Sequence, residues 1–345
     1  MKIIPTVSFA DLFPCPDVQF IDVRSPVEFE QGHIPGAVNI PLFADEERTE
    51  IGTVYKRVDK REALALGEKI ARPKVDGILA EIKNLLPDKP IIYCWRGGKR
   101  SSEICRLANE AGVPARRIEG GYKAYRRGAR KCIEQPRKLL MLGGKTGSGK
   151  TALLLKLKKK GLQVIDLEGL ANHKGSVFGH INEDPQPSTE QFENDFFVEL
   201  QGIDPERTLL LENESHLIGS VHLPPPLLLQ MRAAPLLIVE VPMEVRIKRL
   251  VKEYTSTDCL ELVAASRRIA KKLTQPRLQE AIKFIEQDDF ASACTILLGY
   301  YDHYYNRGIE KRNNQEIYSL DLEGTDLEAD TLQIIKIMDD NSFAV

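Results

Sequence analysis

Residues 94–101 combine amino-acid types that could activate a thiol. Their sequence, C-W-R-G-G-K-R-S, places a cysteine at the end of an apolar run, two glycines in a tight loop and a serine at the start of a helical pattern. Loop N–H groups, a helix N-terminus and nearby cations stabilise a thiolate. We predict that Cys94 is a nucleophile; a buried, inert cysteine is the alternative. We expect a small anion to be bound by the rest of the loop: Trp95, Arg96, Gly97, Gly98, Lys99 and Arg100.

A second glycine-rich loop, GKTGSGKT, fits the pattern G-x-x-x-x-G-K-[ST] between a predicted strand and a predicted helix. In such loops backbone N–H groups surround phosphate oxygens, the lysine reaches the outer phosphates and the hydroxyl residue ligates Mg²⁺. Asp166, Glu212 and Glu240 qualify equally as the acidic partner of that ion, so nucleotide hydrolysis and diphosphate binding both stay open. The predicted phosphate-binding residues are Gly144, Lys145, Thr146, Gly147, Ser148, Gly149, Lys150 and Thr151.

Polar segments follow the next two predicted strands, at 166–179 and 212–219. Loops at the carboxyl ends of parallel strands face ligands in open α/β sheets. Ordinary surface loops are the alternative, but we expect polar side chains of both segments to converge near the 144–151 loop. They are Asp166, Glu168, His173, Glu212, Glu214 and Ser215.

Short apolar runs that alternate with helical patterns must position these loops. This alternation predicts two α/β domains, 1–134 and 135–345, with a mostly helical stretch over 244–305 in the second. Gln135 and Pro136 mark the seam. The predicted strands are 20–24, 37–40, 90–94 and 116–120 in the first domain, and 138–143, 164–169, 208–213 and 236–241 in the second.

Composition narrows the class of protein. The 345 residues are 42% hydrophobic and 28% charged, which excludes a disordered or fibrous chain. No apolar run approaches the roughly 18 residues of a membrane span, and the first residues lack a signal-peptide pattern. Six scattered cysteines without C-x-x-C, and scattered histidines, predict neither a disulfide framework nor a metal site. We therefore expect a cytoplasmic enzyme without a membrane partner.

Charge is unevenly distributed along the chain. The net charge of −2 argues against a nucleic-acid partner, yet residues 116–138 hold nine Lys or Arg against two Glu, and 262–283 hold six against one. Solvated helix faces and an RNA-binding surface both fit such runs. Trp95 and the aromatic segment 300–305 could stack on bases or pack in the core. The candidate RNA contacts are Arg126, Arg127, Arg130, Lys131, Arg267, Arg268, Lys271 and Lys272.

The first domain resembles a known family. FIDVRSPVEFEQGHIPGAVNIP, the cysteine loop and IEGGYKAY are similar to the rhodanese domain, whose loop cysteine carries sulfur or selenium as a persulfide or perselenide. Asp22, Arg24 and His33 fall on its motifs, and we interpret them as scaffold. The C-x5-R spacing also matches cysteine phosphatases, one class of which shares this fold. The loop alone therefore leaves chalcogen transfer and phosphate-ester hydrolysis open.

The combination of motifs resembles the tRNA 2-selenouridine synthase family over about residues 10–310, with Lys99 where methionine is expected. The resemblance implies a rhodanese-like domain followed by a P-loop NTPase-like parallel-sheet α/β domain with a helical C-terminal part. It implies a transferase that replaces sulfur by selenium in wobble 2-thiouridine of lysine, glutamate and glutamine tRNAs. Selenophosphate and geranyl diphosphate would be substrates, S-geranyl-2-thiouridine an intermediate and Mg²⁺ a further ligand, with no tightly bound cofactor.

Three questions stay open at this stage. One alternative is a sulfurtransferase fused to a small-molecule P-loop kinase, because Pro242, Arg246 and Arg249 resemble a kinase lid helix. Another is a regulatory nucleotide-binding module, which an inert Cys94 would favour. Finally, the apolar segment 223–231 could line a pocket for a hydrocarbon tail, or pack on the core as a proline-stiffened loop.

Overall fold

The computed structural model describes residues 4–12, 18–85, 89–270, 273–310, 312 and 316–343. The chain forms two compact units: the first is 1–133 together with 193–201, and the second is 134–192 together with 202–345. The sequence assigns residues 193–201 to the second domain. They pack in the first unit because the Phe197 ring contacts Phe9 at a tilt and Tyr125 edge to face, and the Asn194 amide donates to the Tyr122 hydroxyl.

The first unit is a parallel sheet with helices. Its strands run in the order β1-β5-β4-β2-β3, and every neighbouring pair is parallel. Its elements are β1 (Thr6–Val7), β2 (Phe20–Asp22), α1 (Pro26–Gln31), β3 (Val38–Asn39), α2 (Asp45–Arg57), α3 (Lys60–Ala71), α4 (Val75–Asn84), β4 (Ile91–Tyr93), α5 (Lys99–Glu110), β5 (Arg116–Ile118) and α6 (Gly121–Glu134).

The centre of this sheet is fully buried. All three residues of β4 and all of β2 are inaccessible or nearly so, as expected for parallel strands covered on both faces. Arg24 lies beside them with 1% exposure, forms an ion pair with Asp22 and donates to the Gly32 carbonyl at 2.7 Å. Its guanidinium also lies 4.0 Å from the centre of the Tyr122 ring. These contacts fit the predicted scaffold role of Asp22 and Arg24.

The second unit contains another parallel sheet, in the order β12-β11-β6-β8-β7, and an antiparallel hairpin of β9 and β10. The predicted fold class is confirmed. Its elements are β6 (Leu139–Gly144), α7 (Lys150–Lys159), β7 (Gln163–Val164), α8 (Leu167–Leu170), α9 (Thr189–Leu200), β8 (Leu209–Glu212), β9 (Leu217–Ile218), β10 (Val221–His222), α10 (Pro225–Ala233), β11 (Leu236–Glu240), α11 (Met243–Tyr254), α12 (Cys259–Arg268), α13 (Gln275–Glu286), α14 (Phe290–Glu310), β12 (Ile317–Asp321) and α15 (Leu327–Asp340). Of helix α9, only the first turn belongs to this unit, since residues 193–201 belong to the first unit.

Strand register brings the polar loops of the second unit together. Leu142 of β6 pairs with Glu212 of β8, and Gly144 pairs with Val239 of β11. Because all these strands are parallel, the loops after them leave from one edge of the sheet. The predicted strand 164–169 is wrong beyond residue 164, because the Asp166 carboxylate accepts from the Gly169 N–H at 2.7 Å and starts α8 instead.

Helices α11 to α14 and the segment around residue 178 bury a separate apolar cluster. The predicted aromatic segment 300–305 lies largely in this region: Tyr300 is buried, and the Tyr301 hydroxyl accepts from the Val177 N–H at 3.3 Å. Tyr304 is the more exposed ring, at 41%. The packing interpretation therefore holds for Tyr300 and Tyr301. Within the described parts of the chain, no helix is long and apolar enough to cross a membrane.

Candidate functional site

Cys94 follows β4 and lies at the start of the 94–101 loop. Its side chain is buried, and Sγ lies 3.2 Å from the Ser101 hydroxyl, so the two groups share a hydrogen bond. Helix α5 begins at Lys99 and presents its N-terminus to the loop. Cys105 lies in the same apolar core on helix α5, away from the loop, and burial raises the pKa of its thiol to about 11. Position and surroundings thus single out Cys94 within the first unit.

Two glycines make the close packing under this loop possible. Gly97 has φ +63° and Gly121 has φ +62°. A Cβ on Gly121 would lie 2.2 Å from the Gly97 nitrogen and 2.3 Å from the Cys94 carbonyl oxygen, which is impossible without moving the backbone. Gly121 is absent from the predicted site, although the sequence signal was available in the IEGGYKAY motif.

The cations of the loop divide into two kinds. Arg96 and Lys99 are exposed, whereas Arg100 forms an ion pair with Glu28, 2.7 Å between Nη1 and Oε2. That pair lowers the pKa of Glu28 against the effect of its burial. Trp95 is 37% exposed, with its ring 5.8 Å from Tyr122. It therefore lies at the surface beside Cys94 rather than inside the core.

The 144–151 loop joins β6 to α7 as its pattern predicts. Gly149, at φ +82°, caps α7. Lys150 Nζ donates to the Gly144 carbonyl at 2.9 Å, and Lys145 Nζ lies 2.9 Å from Glu240 Oε2. Lys150 thus lies along the loop, where it could reach a bound phosphate, and Glu240 is held by a lysine of the same loop.

Four carboxylates gather beside this loop. Glu168 accepts from the Thr151 hydroxyl at 2.8 Å, and Glu212 accepts from the Leu167 N–H at 2.9 Å. Burial raises the pKa of Glu168, and the positive charge of Lys150 partly opposes this shift. Burial and the negative charge of Asp166 raise the pKa of Glu212 well above its ordinary value. Burial and the charge of Glu168 raise the pKa of Glu214 to about 8. The predicted convergence therefore occurs for Asp166, Glu168, Glu212 and Glu214.

Gly175 supports this group of carboxylates and was not among the predicted residues. Its φ is +68°, and a Cβ there would lie 2.5 Å from Glu168 Oε1 and 3.1 Å from Glu214 Oε1.

The other two residues predicted to converge near the 144–151 loop, His173 and Ser215, have local roles. His173 is buried, its Nδ1 accepts from the Gly175 N–H, and burial lowers its pKa. Ser215 is exposed and donates to the Leu217 carbonyl within its own turn.

Glu214→Gln should change the pH dependence of stability. A carboxyl whose pKa is raised in the folded state holds its proton more tightly there than in the unfolded chain. The free energy of unfolding therefore falls as the pH rises from about 4.5 to about 8. Glutamine removes this titration, so the variant should gain stability progressively across that window and gain none from this source below it. Chemical denaturation at several pH values measures the difference.

Glu280→Gln, on the exposed surface of α13, is the control for replacing one carboxylate by an amide. If the stability difference of Glu214→Gln were the same at every pH, the raised pKa would be contradicted.

The two arginines that suggested a kinase lid support the 144–151 loop instead. Arg246 is 3% exposed, pairs with Asp302 through both carboxylate oxygens, at 2.9 and 2.6 Å, and donates to the Thr146 carbonyl at 3.1 Å. Arg249 donates to the carbonyls of Gly147 and Ser148. In this structure backbone carbonyls of the loop accept from these N–H groups, which gives the two arginines a local role in holding the loop.

The fit to a magnesium ion rests on Thr151 and Glu168, which are already in contact. Among the described residues no group of three or more His, Cys, Asp or Glu could hold a metal alone. Mg²⁺ usually takes one or two carboxylates together with substrate phosphates, so such a pair is compatible with it.

The candidate RNA contacts differ in exposure. Arg126 is wrong as a surface contact: it is 6% exposed, ion-paired with Glu193, and donates to Asn194 at 2.7 Å. Arg130 is exposed and lies 3.0 Å from Glu193. Lys271 and Lys272 lie outside the described residues. The remaining candidates are exposed: Arg127, Lys131, Arg267 and Arg268.

The apolar segment 223–231 forms most of helix α10 rather than a loop. Pro224 and Pro225 start the helix, where a missing N–H costs nothing. Leu227 and Met231 face the core, and Leu229 is 67% exposed. The core-packing interpretation is therefore the better one for this segment.

Comparisons with known proteins agree with this architecture. The fold and the two loops define a rhodanese-like domain joined to a P-loop-like α/β domain. Residues 7–127 match the rhodanese-like domain model, and residues 137–288 match the model of the tRNA 2-selenouridine synthase AAA domain. The chain belongs to the tRNA 2-selenouridine synthase family.

Its relatives include the tRNA 2-selenouridine synthases of Salmonella enteritidis, 44% identical over 246 residues, and Salmonella newport (strain SL254), 42% identical over 248 residues. Each match covers 69% of this chain and 66% of the relative, so the chain spans just under two thirds of these relatives. A crystal structure of the N-terminal domain of a putative ATP/GTP binding protein from Clostridium difficile 630 is 38% identical. The match covers 36% of this chain and 97% of the Clostridium difficile chain, with a TM-score of 0.34.

Proposed function

We propose that this protein replaces sulfur by selenium in the wobble 2-thiouridine of tRNA. The observation that carries the proposal is the presence, in one chain, of a buried cysteine on an anion-binding type of loop and a lysine-bearing phosphate loop beside four carboxylates. Membership of the tRNA 2-selenouridine synthase family supports the same reaction. Lysine, glutamate and glutamine tRNAs would be the substrates, and the reaction would take place in the cytoplasm.

The 144–151 loop would serve the first step, geranylation of the 2-thio group. The sulfur attacks C1 of geranyl diphosphate, an S–C bond forms, and the C–O bond breaks with its electrons remaining on the departing diphosphate. Backbone N–H groups of the loop and Lys150 would stabilise that charge. Thr151 and Glu168 would hold Mg²⁺, which neutralises diphosphate oxygens when bound. Geranylation makes the sulfur a better leaving group, since it departs as a thiol.

The 94–101 loop would serve the second step, with selenophosphate as its anion. Forming a perselenide on Cys94 directly from selenophosphate releases phosphite if the electrons are to balance. Releasing phosphate that way would require an oxidant. Attack of the Cys94 thiolate on phosphorus needs none: an S–P bond forms, and the P–Se pair stays on selenium as hydrogen selenide ion. Selenide adds to C2 of the uridine, geranylthiol leaves, and water frees phosphate from the cysteine.

The geometry at Cys94 favours this phosphorus route. Ser101 places its hydroxyl 3.2 Å from Sγ, where it can stabilise the thiolate and the thiol leaving group. The C-x5-R spacing to Arg100 matches the pattern of enzymes that form a cysteinyl phosphate. Phosphorus NMR of the reaction mixture separates the two routes, because one releases phosphate and the other phosphite.

The kinase alternative has less support. Its signal was the pair Arg246 and Arg249, whose N–H groups bond to carbonyls of the 144–151 loop and to Asp302. A kinase lid needs such groups free to reach a transferred phosphoryl group. A regulatory module, the third alternative, would leave Cys94 without a chemical task.

Deleting the gene from its host should abolish 2-selenouridine in tRNA while 2-thiouridine remains. The reason is that the protein acts after sulfur is in place. Mass spectrometry of tRNA nucleosides from cells with and without the gene measures both. Restoring the gene on a plasmid is the control. Unchanged 2-selenouridine would overturn the proposed function and favour the kinase alternative.

A further inference from the structure

An apolar cavity lies in the second unit directly beside the 144–151 loop. Its empty volume is about 550 Å³, including space open to solvent. Helices α11 to α14 form most of its wall. The principal lining residues are Phe178, Leu250, Tyr254, Ala293, Leu297 and Tyr301.

The cavity and the loop share a wall. Thr146, a residue of the loop, itself lines the cavity. A Cβ on Gly147 would lie 3.3 Å from a methyl carbon of the lining residue Leu250. Arg246 of α11 donates to the Thr146 carbonyl and pairs with Asp302 of α14, so the helices around the cavity are tied to the loop. A phosphate held by the loop would therefore lie next to apolar space.

Polar groups around the cavity are already engaged. The Tyr301 hydroxyl accepts from the Val177 N–H, and the Ser176 hydroxyl accepts from the Phe178 N–H. A hydrogen bond to Ser176 also occupies the Tyr254 hydroxyl. Burial raises the pKa of the Cys294 thiol to about 11, so it stays neutral. A nucleotide base, which needs hydrogen-bond partners, would find few here, whereas a hydrocarbon chain needs none.

We propose that this cavity receives the hydrocarbon chain of a diphosphate ester whose phosphates lie on the 144–151 loop. The inference rests on the proposed diphosphate role of that loop. The cavity replaces segment 223–231 as the place for the tail. It also explains how a loop of a nucleotide-binding pattern can prefer a prenyl diphosphate: the chain, and not a base, supplies the additional binding energy.

Calorimetry with inorganic pyrophosphate and geranyl diphosphate tests the cavity. Each methylene that enters an apolar site gains roughly fourfold in affinity. The unaltered protein should therefore bind geranyl diphosphate at least about 100-fold more tightly than pyrophosphate. Ala293→Leu, which fills the cavity, should reduce that preference at least about tenfold and leave pyrophosphate affinity unchanged. Equal affinities in the unaltered protein, or an undiminished preference in Ala293→Leu, would overturn the proposal.

Ala281→Leu is the matched control. Ala281 is fully buried in the same apolar cluster but does not line the cavity, so its variant should keep the preference. Should Ala293→Leu fail to fold, Leu297→Ala enlarges the space and should shift preference from geranyl towards farnesyl diphosphate; an unchanged chain-length preference would refute the cavity. These binding results are independent of tRNA selenation. If the protein shows no preference for geranyl diphosphate over pyrophosphate but tRNA still gains 2-selenouridine, the cavity proposal has failed. If the preference is present but 2-selenouridine does not depend on the protein, the proposed function has failed.

Discussion

Cys94→Ser should abolish selenium incorporation into tRNA while geranylation of 2-thiouridine continues. A serine hydroxyl is a far weaker nucleophile than a thiolate, so we expect at least about a 1,000-fold loss of the selenation rate. Geranylation should persist because it uses the 144–151 loop of the other unit. The measurement is mass spectrometry of nucleosides after incubating purified enzyme with 2-thiouridine tRNA, geranyl diphosphate and selenophosphate. S-geranyl-2-thiouridine should accumulate in the variant.

Cys132→Ser provides the control for this experiment. Cys132 is a partly exposed cysteine of the same unit, on α6, so its replacement tests for a general effect of removing a thiol. It should retain selenation. Full selenation by Cys94→Ser would exclude every mechanism in which this sulfur bonds to selenium or phosphorus.

The two glycine-rich loops could be predicted because their requirements are local. Gly97 and Gly149 adopt positive φ values that other residues rarely take, and each loop lies between a strand and a helix with recognisable patterns. The carboxylate group was also predictable in outline, since Glu212 ends an apolar strand. Parallel topology then brings such ends to one edge of the sheet.

Side-chain partners that are distant in sequence could not be predicted. Arg126 belongs to a basic run, but its partner Glu193 is 67 residues away, so only the fold reveals that this arginine is buried. Likewise, Thr146 and Tyr301 line one cavity although several strands and helices separate them along the chain. A hydrophobic pattern shows that a helix has a buried face, and only packing shows where that face leaves space.

Gly121 lies between these two cases, because the sequence marked the residue but did not show its contacts. Its motif was visible, and the resemblance placed it in the family pattern. The sequence did not show why a glycine is needed at this position, because residue 121 closely approaches Gly97 and Cys94, which lie on another loop. Thus a motif can mark a residue as constrained before the structure shows what constrains it.

Lys150→Ala should remove geranylation and, with it, the supply of substrate for selenation. Lys150 carries the charge nearest to the expected outer phosphate, and losing a charge-assisted hydrogen bond of this kind weakens diphosphate binding by roughly 100-fold. Selenation should recover when tRNA that already carries S-geranyl-2-thiouridine is supplied, because the Cys94 step does not use this lysine. Lys156→Ala is the control: this lysine lies on the same helix, pairs with Glu328 at the surface and should leave both steps intact. Unchanged geranyl transfer by Lys150→Ala would show that the diphosphate does not bind to the 144–151 loop. Failure to recover on the geranylated tRNA would instead mean that the two sites act on the uridine together.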